Sequence, residues 1–142
     1  MTYASLLVQP MRDELTQAGF QELRTPAEVD AFMAQKTGTA VLMINSVCGC
    51  AAGKARPGVR LALRQGQAPD RLATVFAGQD PAATAHARAY FPEVPSSSPS
   101  IALFKDGKLA YFMPRQRIEG RDAESVARDL QAAFIEHCAV AK

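Results

Sequence analysis

A run of five apolar residues at positions 40–44, Ala-Val-Leu-Met-Ile, constrains the fold of this chain most strongly. Gly38 precedes the run and the polar residue Asn45 follows it, so the run has the length of a strand and shows no polar alternation. A continuous apolar run of this length is typical of a central strand that is covered on both faces. We therefore expect a sheet with helices packed on each side.

The part of the chain before this strand predicts two helices and an edge strand. Residues 3–18 place apolar side chains four apart, as a helix does, and Pro10 within them predicts a kink or a late start. Residues 20–24 form a weak edge-strand candidate, and Thr25 followed by Pro26 is typical of a helix start. The side chains expected to be buried in the two helices are Leu7, Met11, Leu15, Val29, Phe32 and Met33.

The part of the chain after the central strand predicts three helices, one strand and a β-hairpin. Pro57 predicts a bend in the first of these helices, whose buried side we expect at Ala52, Ala55, Val59, Ala62 and Leu63. Asp80 followed by Pro81 again indicates a helix start. Asp106 and Gly107 lie between two strand-like runs, which is a strong hairpin signal. In chain order, the predicted segments are a helix at 52–63, a strand at 72–76, a helix at 81–90, strands at 101–104 and 109–112, and a closing helix at 122–137.

This order of elements predicts a single α/β domain covering residues 1–142. It is a β-α-β-α-β-α unit followed by a hairpin and a closing helix, with one extra helix in front. Such an order folds as a sandwich in which helices flank a mixed sheet of four to five strands. A length of 142 residues, 48% of them hydrophobic, suits one domain with its own core.

Composition and charge argue against several classes of protein. Sixteen basic and fourteen acidic residues leave a net charge of +2, which gives no electrostatic footprint for nucleic acid or an anionic membrane. No apolar run approaches the ~20 residues of a membrane-spanning helix. Charged residues at 12–14 follow closely on the short apolar stretch at 6–8, so the segment does not resemble a signal peptide. We expect a cytoplasmic protein with neither nucleic-acid nor membrane partners.

The pair Cys48 and Cys50, separated only by Gly49, carries the chemistry that the sequence indicates. An odd number of cysteines in a reducing compartment argues against a disulfide framework. Cys48 follows the predicted central strand and precedes a helix, and a helix N-terminus stabilises nearby negative charge. A thiol there should have a lowered pKa and react as a thiolate. We expect Cys48 to be the nucleophile and Cys50 its resolving partner.

The spacing of the pair limits the disulfide that it can form. In an extended chain, residues two apart have α-carbons about 6.6–7.2 Å apart, whereas a disulfide requires roughly 4.4–6.8 Å. Closing the ring therefore requires a bend at Gly49, and a strained ring is easily reduced. The pair is better suited to accepting a mixed disulfide or shuffling disulfides than to acting as a strong reductant.

Two other interpretations of the cysteines remain open, namely plain packing and a metal site. A structural zinc site takes four ligands, so it would need two of His86, His137 and Cys138 in addition to the pair. The last two join the pair only if the final helix ends beside it. Cys138 follows Phe134 by four residues and extends the apolar stripe of that helix. We expect a partly buried structural thiol at Cys138 and no metal.

The motif at residues 45–53, Asn-Ser-Val-Cys-Gly-Cys-Ala-Ala-Gly, closely resembles the signature of the bacilliredoxins, thioredoxin-like proteins of bacteria that make the thiol bacillithiol. The resemblance extends from about Tyr3 to Cys138. The other segments that carry it are residues 8–12, 14–15, 74–80, 97–100, 114–115 and 118–120.

The resemblance implies a thioredoxin fold whose cis-proline lies before a strand of the C-terminal hairpin and faces the nucleophile. Pro99 matches that position, so Gly49, Ser98 and Pro99 become the expected substrate-binding residues beside the catalytic Cys48 and Cys50. The implied activity is removal of bacillithiol from protein mixed disulfides, with bacillithiol as co-substrate and no bound cofactor.

The implied partners are bacillithiolated client proteins, bacillithiol itself and the reductase of its disulfide. General disulfide isomerase activity, or metal or thiol binding without turnover, are the alternatives. A further cluster of Arg115, Glu119 and Arg121 is expected to be solvated at a helix start, although an arginine near the pocket would suit a carboxylate-rich thiol.

Overall fold

The apolar run forms the central strand β2 (Thr39–Asn45), and every residue of this strand is buried. A computed structural model describes residues 5–138. Within that range the sheet has four further strands, β1 (Gln21–Glu22), β3 (Arg71–Phe76), β4 (Ser100–Lys105) and β5 (Lys108–Met113). The helices are α1 (Ser5–Thr16), α2 (Pro26–Met33), α3 (Arg56–Leu63), α4 (Pro81–Arg88) and α5 (Ala123–His137), with a π-helical turn at Ala51–Ala55 and a 3₁₀ turn at Arg115–Arg117.

The five strands form one mixed sheet in the order β1-β3-β2-β4-β5. β2 pairs with β3 in parallel and with β4 antiparallel, whereas β1 and β5 form the two edges. The hairpin between β4 and β5 turns at Asp106 and Gly107, whose φ angles of 52° and 83° are those of a left-handed turn. The mixed sheet and the hairpin are therefore as predicted.

Burial of β2 on both faces explains its uninterrupted apolar sequence. Val41 and Met43 pack into a core formed with α1, α3 and α5. Leu42 and Ile44 point to the opposite face, which α2 and α4 cover. Because neighbouring residues of a strand face opposite sides, the middle of a strand between two helical layers is apolar at successive positions, here residues 40–44.

The predicted buried face of α1 is partly wrong, because the buried positions in its first two turns lie one residue later than predicted. Leu15 is buried as expected, but Leu7 is 63% exposed, Met11 is only partly buried, and Val8 and Arg12 take the buried positions instead. Arg12 is accommodated because its guanidinium pairs with carboxylates of other elements and lies 5.1 Å from the centre of a phenylalanine ring. Helical spacing alone cannot identify a charged residue that finds such partners.

Asp80 is one of those partners, and this changes its predicted role. Helix α4 begins after Asp80 as expected, but the Asp80 side chain makes no capping hydrogen bond. Its carboxylate accepts instead from Arg12 at 2.9 Å and lies 3.5 Å from Arg24. Thr25 and Asp122 do cap α2 and α5, by accepting the N–H groups of residues 28 and 125.

The predicted bend at Pro57 is replaced by a change of helix type. The chain forms the π-helical turn first, and α3 then starts at Arg56 with Pro57 in its first turn, where a missing N–H is tolerated. Ala52 is exposed and Leu63 only partly buried, whereas the other three predicted positions are buried. Among the described residues, no helix is long and apolar enough to cross a membrane.

Replacing Gly58 by alanine should destabilise the protein, because α3 packs on α5 at this glycine. A Cβ atom at Gly58 would lie 2.6 Å from Cγ1 of Val126, and a β-branched side chain has little freedom to move away. We expect Gly58→Ala to lower the free energy of unfolding in urea by about 1–3 kcal/mol. Gly53→Ala is the matched control, since a Cβ at Gly53 meets no atom within 4 Å. Equal stability of the two variants would contradict this packing.

Candidate active site

Cys48 lies between the carboxyl end of β2 and the start of a helical turn. Its carbonyl oxygen accepts the N–H groups of Ala51 and Ala52, each at 3.1 Å, so the helical turn begins directly after Cys48. The backbone is already helical at Gly49 and Cys50, so the Cys48 side chain lies where it can accept free N–H groups of the first turn. The location predicted from the sequence is confirmed.

The surroundings of Cys48 favour its thiolate. Partial burial alone would raise the pKa of this thiol, but hydrogen bonds from the Ser46 hydroxyl and from the N–H groups of Ala51 and Cys50, together with the charge of Arg115, lower it below its ordinary value. The Ser46 oxygen also accepts the N–H of Cys48 at 3.2 Å. A thiol with a lowered pKa that remains partly exposed is the expected form of a reactive cysteine.

Cys50 occupies a different environment two residues later. Its φ and ψ of −62° and −38° are helical, and its side chain packs against the core beside α3 and α5. Side chains two apart in a helical turn do not face each other. Both cysteines are free thiols here, and joining them would require the turn to rearrange.

Gly49 leaves open space beside the pair. A Cβ built at this position would meet no atom within 4 Å, and the residue itself is exposed. The surface next to Cys48 is therefore accessible to a bulky disulfide.

The peptide bond between Ser98 and Pro99 is cis, as expected. Ser100, the first residue of β4, pairs with Ile44 near the end of β2. Because the two strands are antiparallel, β4 starts at the sheet edge where β2 ends. Ser98 and Pro99 therefore lie at the same edge of the sheet as Cys48, with Pro99 buried and Ser98 partly exposed.

Arg115 belongs to this site, contrary to the expectation that it is merely solvated. Its guanidinium donates to the carbonyl oxygen of Ser98 at 3.3 Å, and its backbone N–H donates to Ser97 Oγ, also at 3.3 Å. The negative charge at Cys48 is the largest of the influences that raise the pKa of Arg115. Glu119 lies 3.5 Å from this guanidinium.

Arg121 does not join Arg115 at the site. Its guanidinium pairs with Asp129 at 2.7 Å and also donates to the carbonyl oxygen of Arg117. The predicted hairpin could have shown that Arg115, and not Arg121, lies at the site. β5 runs back to the edge where β4 begins, so the residues directly after β5 must lie beside Pro99.

Two cavities flank the site. One of about 450 Å³ runs between the loop before Pro99 and the segment after β5, and its lining residues are Val94, Pro95, Ser96, Ser97, Phe112, Pro114, Gln116 and Arg117. The other, of about 200 Å³, lies between α1 and the residue before Cys48, and Leu7, Val8, Met11 and Val47 line it. The exposed apolar residues of α1 thus lie next to the cysteine motif.

The third thiol lies far from the pair. Cys138 is buried at the end of α5, and its neighbours include Thr39, the first residue of β2, so it occupies the opposite edge of the sheet. Burial raises the pKa of this thiol. His86 pairs with Asp30 at 2.7 Å. Within residues 5–138, no three histidine, cysteine or acidic side chains come together as a metal site would require.

Comparisons with known proteins agree with this geometry. A family model described as disulphide isomerase matches residues 3–138. A bacilliredoxin of Halalkalibacterium halodurans is 52% identical over 136 residues, which cover 96% of this chain and 94% of the relative. A bacilliredoxin of Cytophaga hutchinsonii is 53% identical over 134 residues, covering 94% and 98% respectively.

Solved structures show the same fold at low sequence identity. A thioredoxin variant from Halobacterium salinarum superimposes with a TM-score of 0.59 at 16% identity, over 88% of this chain and 96% of that one. The thioredoxin of Fasciola hepatica gives 0.57 at 19% identity, over 83% and 99%. The chain has a thioredoxin fold.

Removing the charge of Arg115 should raise the pKa of Cys48, because a nearby cation favours the thiolate over the thiol. We expect Arg115→Gln to slow alkylation of Cys48 at pH 7 by about two- to threefold, with the difference shrinking as salt screens the interaction. The pH dependence of iodoacetamide alkylation measures this shift. Arg117→Gln is the charge-matched control, since Arg117 pairs with Asp129. An unchanged pH profile in Arg115→Gln would rule out this role of the arginine.

Proposed function

Because the chain belongs to the bacilliredoxin family, we propose that its Cys48 thiolate removes bacillithiol from proteins that carry it as a mixed disulfide. The observation that carries the proposal is the position of Cys48, which combines a lowered pKa with open space at Gly49 and the nearby charge of Arg115. These features suit attack on an external disulfide rather than a structural role.

The first step is a thiol–disulfide exchange. The Cys48 thiolate attacks the bacillithiol sulfur of the mixed disulfide, a new S–S bond joins Cys48 to bacillithiol, and the client leaves as a thiolate that takes a proton from water. The client is thereby reduced and Cys48 carries the adduct. Selectivity for the bacillithiol sulfur requires that this half of the disulfide be held at the site.

The groups around Cys48 suggest how that half is held. Arg115 provides a cation for a carboxylate of the thiol, and 39% of its side chain is exposed to meet it. Gly49 leaves open space beside Cys48, and Ser98 and Pro99 precede β4 where it starts next to the end of β2. The larger cavity beyond Arg115 offers room for the client chain.

Two routes regenerate Cys48. In one, the thiolate of a second bacillithiol attacks the adduct, which frees Cys48 and produces bacillithiol disulfide for its reductase. In the other, the Cys50 thiolate attacks the Cys48 sulfur, releases bacillithiol and leaves a Cys48–Cys50 disulfide. A two-electron reductant must then reduce this disulfide. The helical geometry of the turn opposes the second route, because Cys50 packs toward the core.

The proposal defines the partners and the compartment. The protein would need no bound cofactor, because bacillithiol acts as a co-substrate. Its partners would be bacillithiolated clients, bacillithiol and the reductase of bacillithiol disulfide. Such chemistry belongs in the reducing cytoplasm, where adducts form during oxidative stress and are later removed.

General disulfide isomerase activity is the second candidate, and the description of the matching family favours it. Under that mechanism Cys50 would have to resolve the mixed disulfide between Cys48 and a client. A protein that binds thiols or metal without turnover is the third candidate, and it would leave a bacillithiolated client unchanged.

Replacing Cys50 should preserve turnover, whereas replacing Cys48 should abolish it. With excess bacillithiol and its reductase present, we expect Cys50→Ala to release a bacillithiolated client within about threefold of the wild-type rate, because external thiol does not need the turn to rearrange. Cys48→Ala should show no release above the uncatalysed rate. A coupled assay that follows reductant consumption and client thiol measures both rates.

Cys138→Ala is the matched control for loss of a thiol, since Cys138 lies at the opposite edge of the sheet. It should keep wild-type turnover. An inactive Cys50→Ala protein that accumulates a disulfide with the client would contradict the one-cysteine mechanism and favour the isomerase. An active Cys48→Ala protein would contradict the assignment of the nucleophile.

A further inference from the structure

Arg56 is a charged side chain buried beneath the cysteine motif. It is only 1% exposed and is among the largest fully buried side chains of the protein. A buried guanidinium is costly unless its donors are satisfied, so its partners indicate what it does. One of them is Glu14 on α1, whose Oε1 accepts from Arg56 Nε at 2.9 Å.

The other partners of Arg56 lie in the segment that leads to Cys48. Arg56 Nη1 donates to the side-chain oxygen of Asn45 and to the carbonyl oxygen of Ser46, both at 2.8 Å. The same Asn45 oxygen accepts the N–H of Ser46 at 2.8 Å. Arg56 and Asn45 together therefore bind both backbone polar groups of Ser46.

Ser46 connects this buried cluster to the reactive sulfur. Its hydroxyl oxygen accepts the N–H of Cys48, and the same hydroxyl stabilises the Cys48 thiolate. A hydroxyl rotates freely, but the position of its oxygen depends on the backbone that carries it. Fixing the backbone of Ser46 therefore fixes the donor that reaches Cys48.

We propose that Arg56 is a positioning residue, which bridges Asn45 and Ser46 and so holds the Ser46 hydroxyl against the Cys48 sulfur. The proposal rests on Cys48 being the nucleophile of the proposed function, and it assigns to Arg56 no contact with a substrate. Glu14 fixes the orientation of the guanidinium from the other side. Among the described residues, the charged side chain that acts on the Cys48 thiolate from a neighbouring segment is Arg115, which follows β5. Arg115 shares no hydrogen-bond partner with Arg56.

The test is the pH profile of Cys48 alkylation, measured in a Cys50→Ala, Cys138→Ala background so that one thiol reacts. Arg56→Met should raise the midpoint of the profile and slow alkylation at pH 7 by about five- to tenfold, while the limiting rate at alkaline pH stays the same. Arg56→Lys keeps a cation that can donate to the same oxygens, so it should restore part of the rate.

Arg12→Met is the matched control. Arg12 is 4% exposed and also pairs with carboxylates, but its side-chain partners Glu22 and Asp80 make no hydrogen bond to Asn45, Ser46 or Cys48. This variant should lose stability, as Arg56→Met does, without changing the pH profile. A purely structural role of Arg56 predicts that the two variants behave alike, and a folded Arg56→Met protein with the parent profile would overturn the proposal.

If Arg56→Met does not fold, Glu14→Ala tests the positioning role of Arg56 instead. Glu14 is 36% exposed, so its loss should be tolerated, and the proposal predicts a smaller rise of the midpoint in the same direction. No rise in Glu14→Ala, relative to Arg12→Met, would then contradict it. Because alkylation uses no disulfide substrate, failure of bacillithiol removal leaves this result unaffected and the two proposals remain distinguishable.

Discussion

Burial of β2 between two helical layers is the constraint on which the rest of the structure depends. It places the strand in the middle of the sheet and determines the edge of the sheet at which the chain emerges at residues 45–48. β4 starts at that edge and β5 returns to it, so Pro99 and Arg115 arrive beside the same cysteine. The site therefore follows from sheet topology, which brings together three segments that are distant in the sequence.

The two ends of β2 also show how the environment of a thiol determines its pKa. Cys48 is partly buried and Cys138 is buried, and burial by itself raises the pKa of each. At Cys48, hydrogen bonds from a helix start and a hydroxyl, together with a cation, outweigh that effect. At Cys138, a hydrogen bond from Thr39 does not outweigh it. The fold thus lowers the pKa of one thiol and raises that of another at opposite edges of its sheet.

Local sequence signals predicted much of the fold, because they act over a few residues. The apolar run, the turn at Asp106 and Gly107, and the start of α2 at Thr25 each depend on neighbours in the chain, and each was predicted. The cis bond at Pro99 followed from family resemblance, since a Ser-Pro bond is usually trans. The arginines were not predicted: Arg12 and Arg56 are buried because carboxylates and amides of other elements meet them, and helical periodicity cannot reveal such partners. Arg115 was misassigned because its proximity to Cys48 depends on where β5 ends.

Trapping the adduct on Cys48 tests whether this thiol receives bacillithiol, as proposed. The Cys50→Ala protein is mixed with an equimolar bacillithiolated client without free bacillithiol, and peptide mass spectrometry then locates the modification. If Cys48 receives the thiol, the peptide that contains Cys48 carries one bacillithiol and the client is reduced. A disulfide joining Cys48 to the client, or bacillithiol remaining on the client, would contradict the proposal.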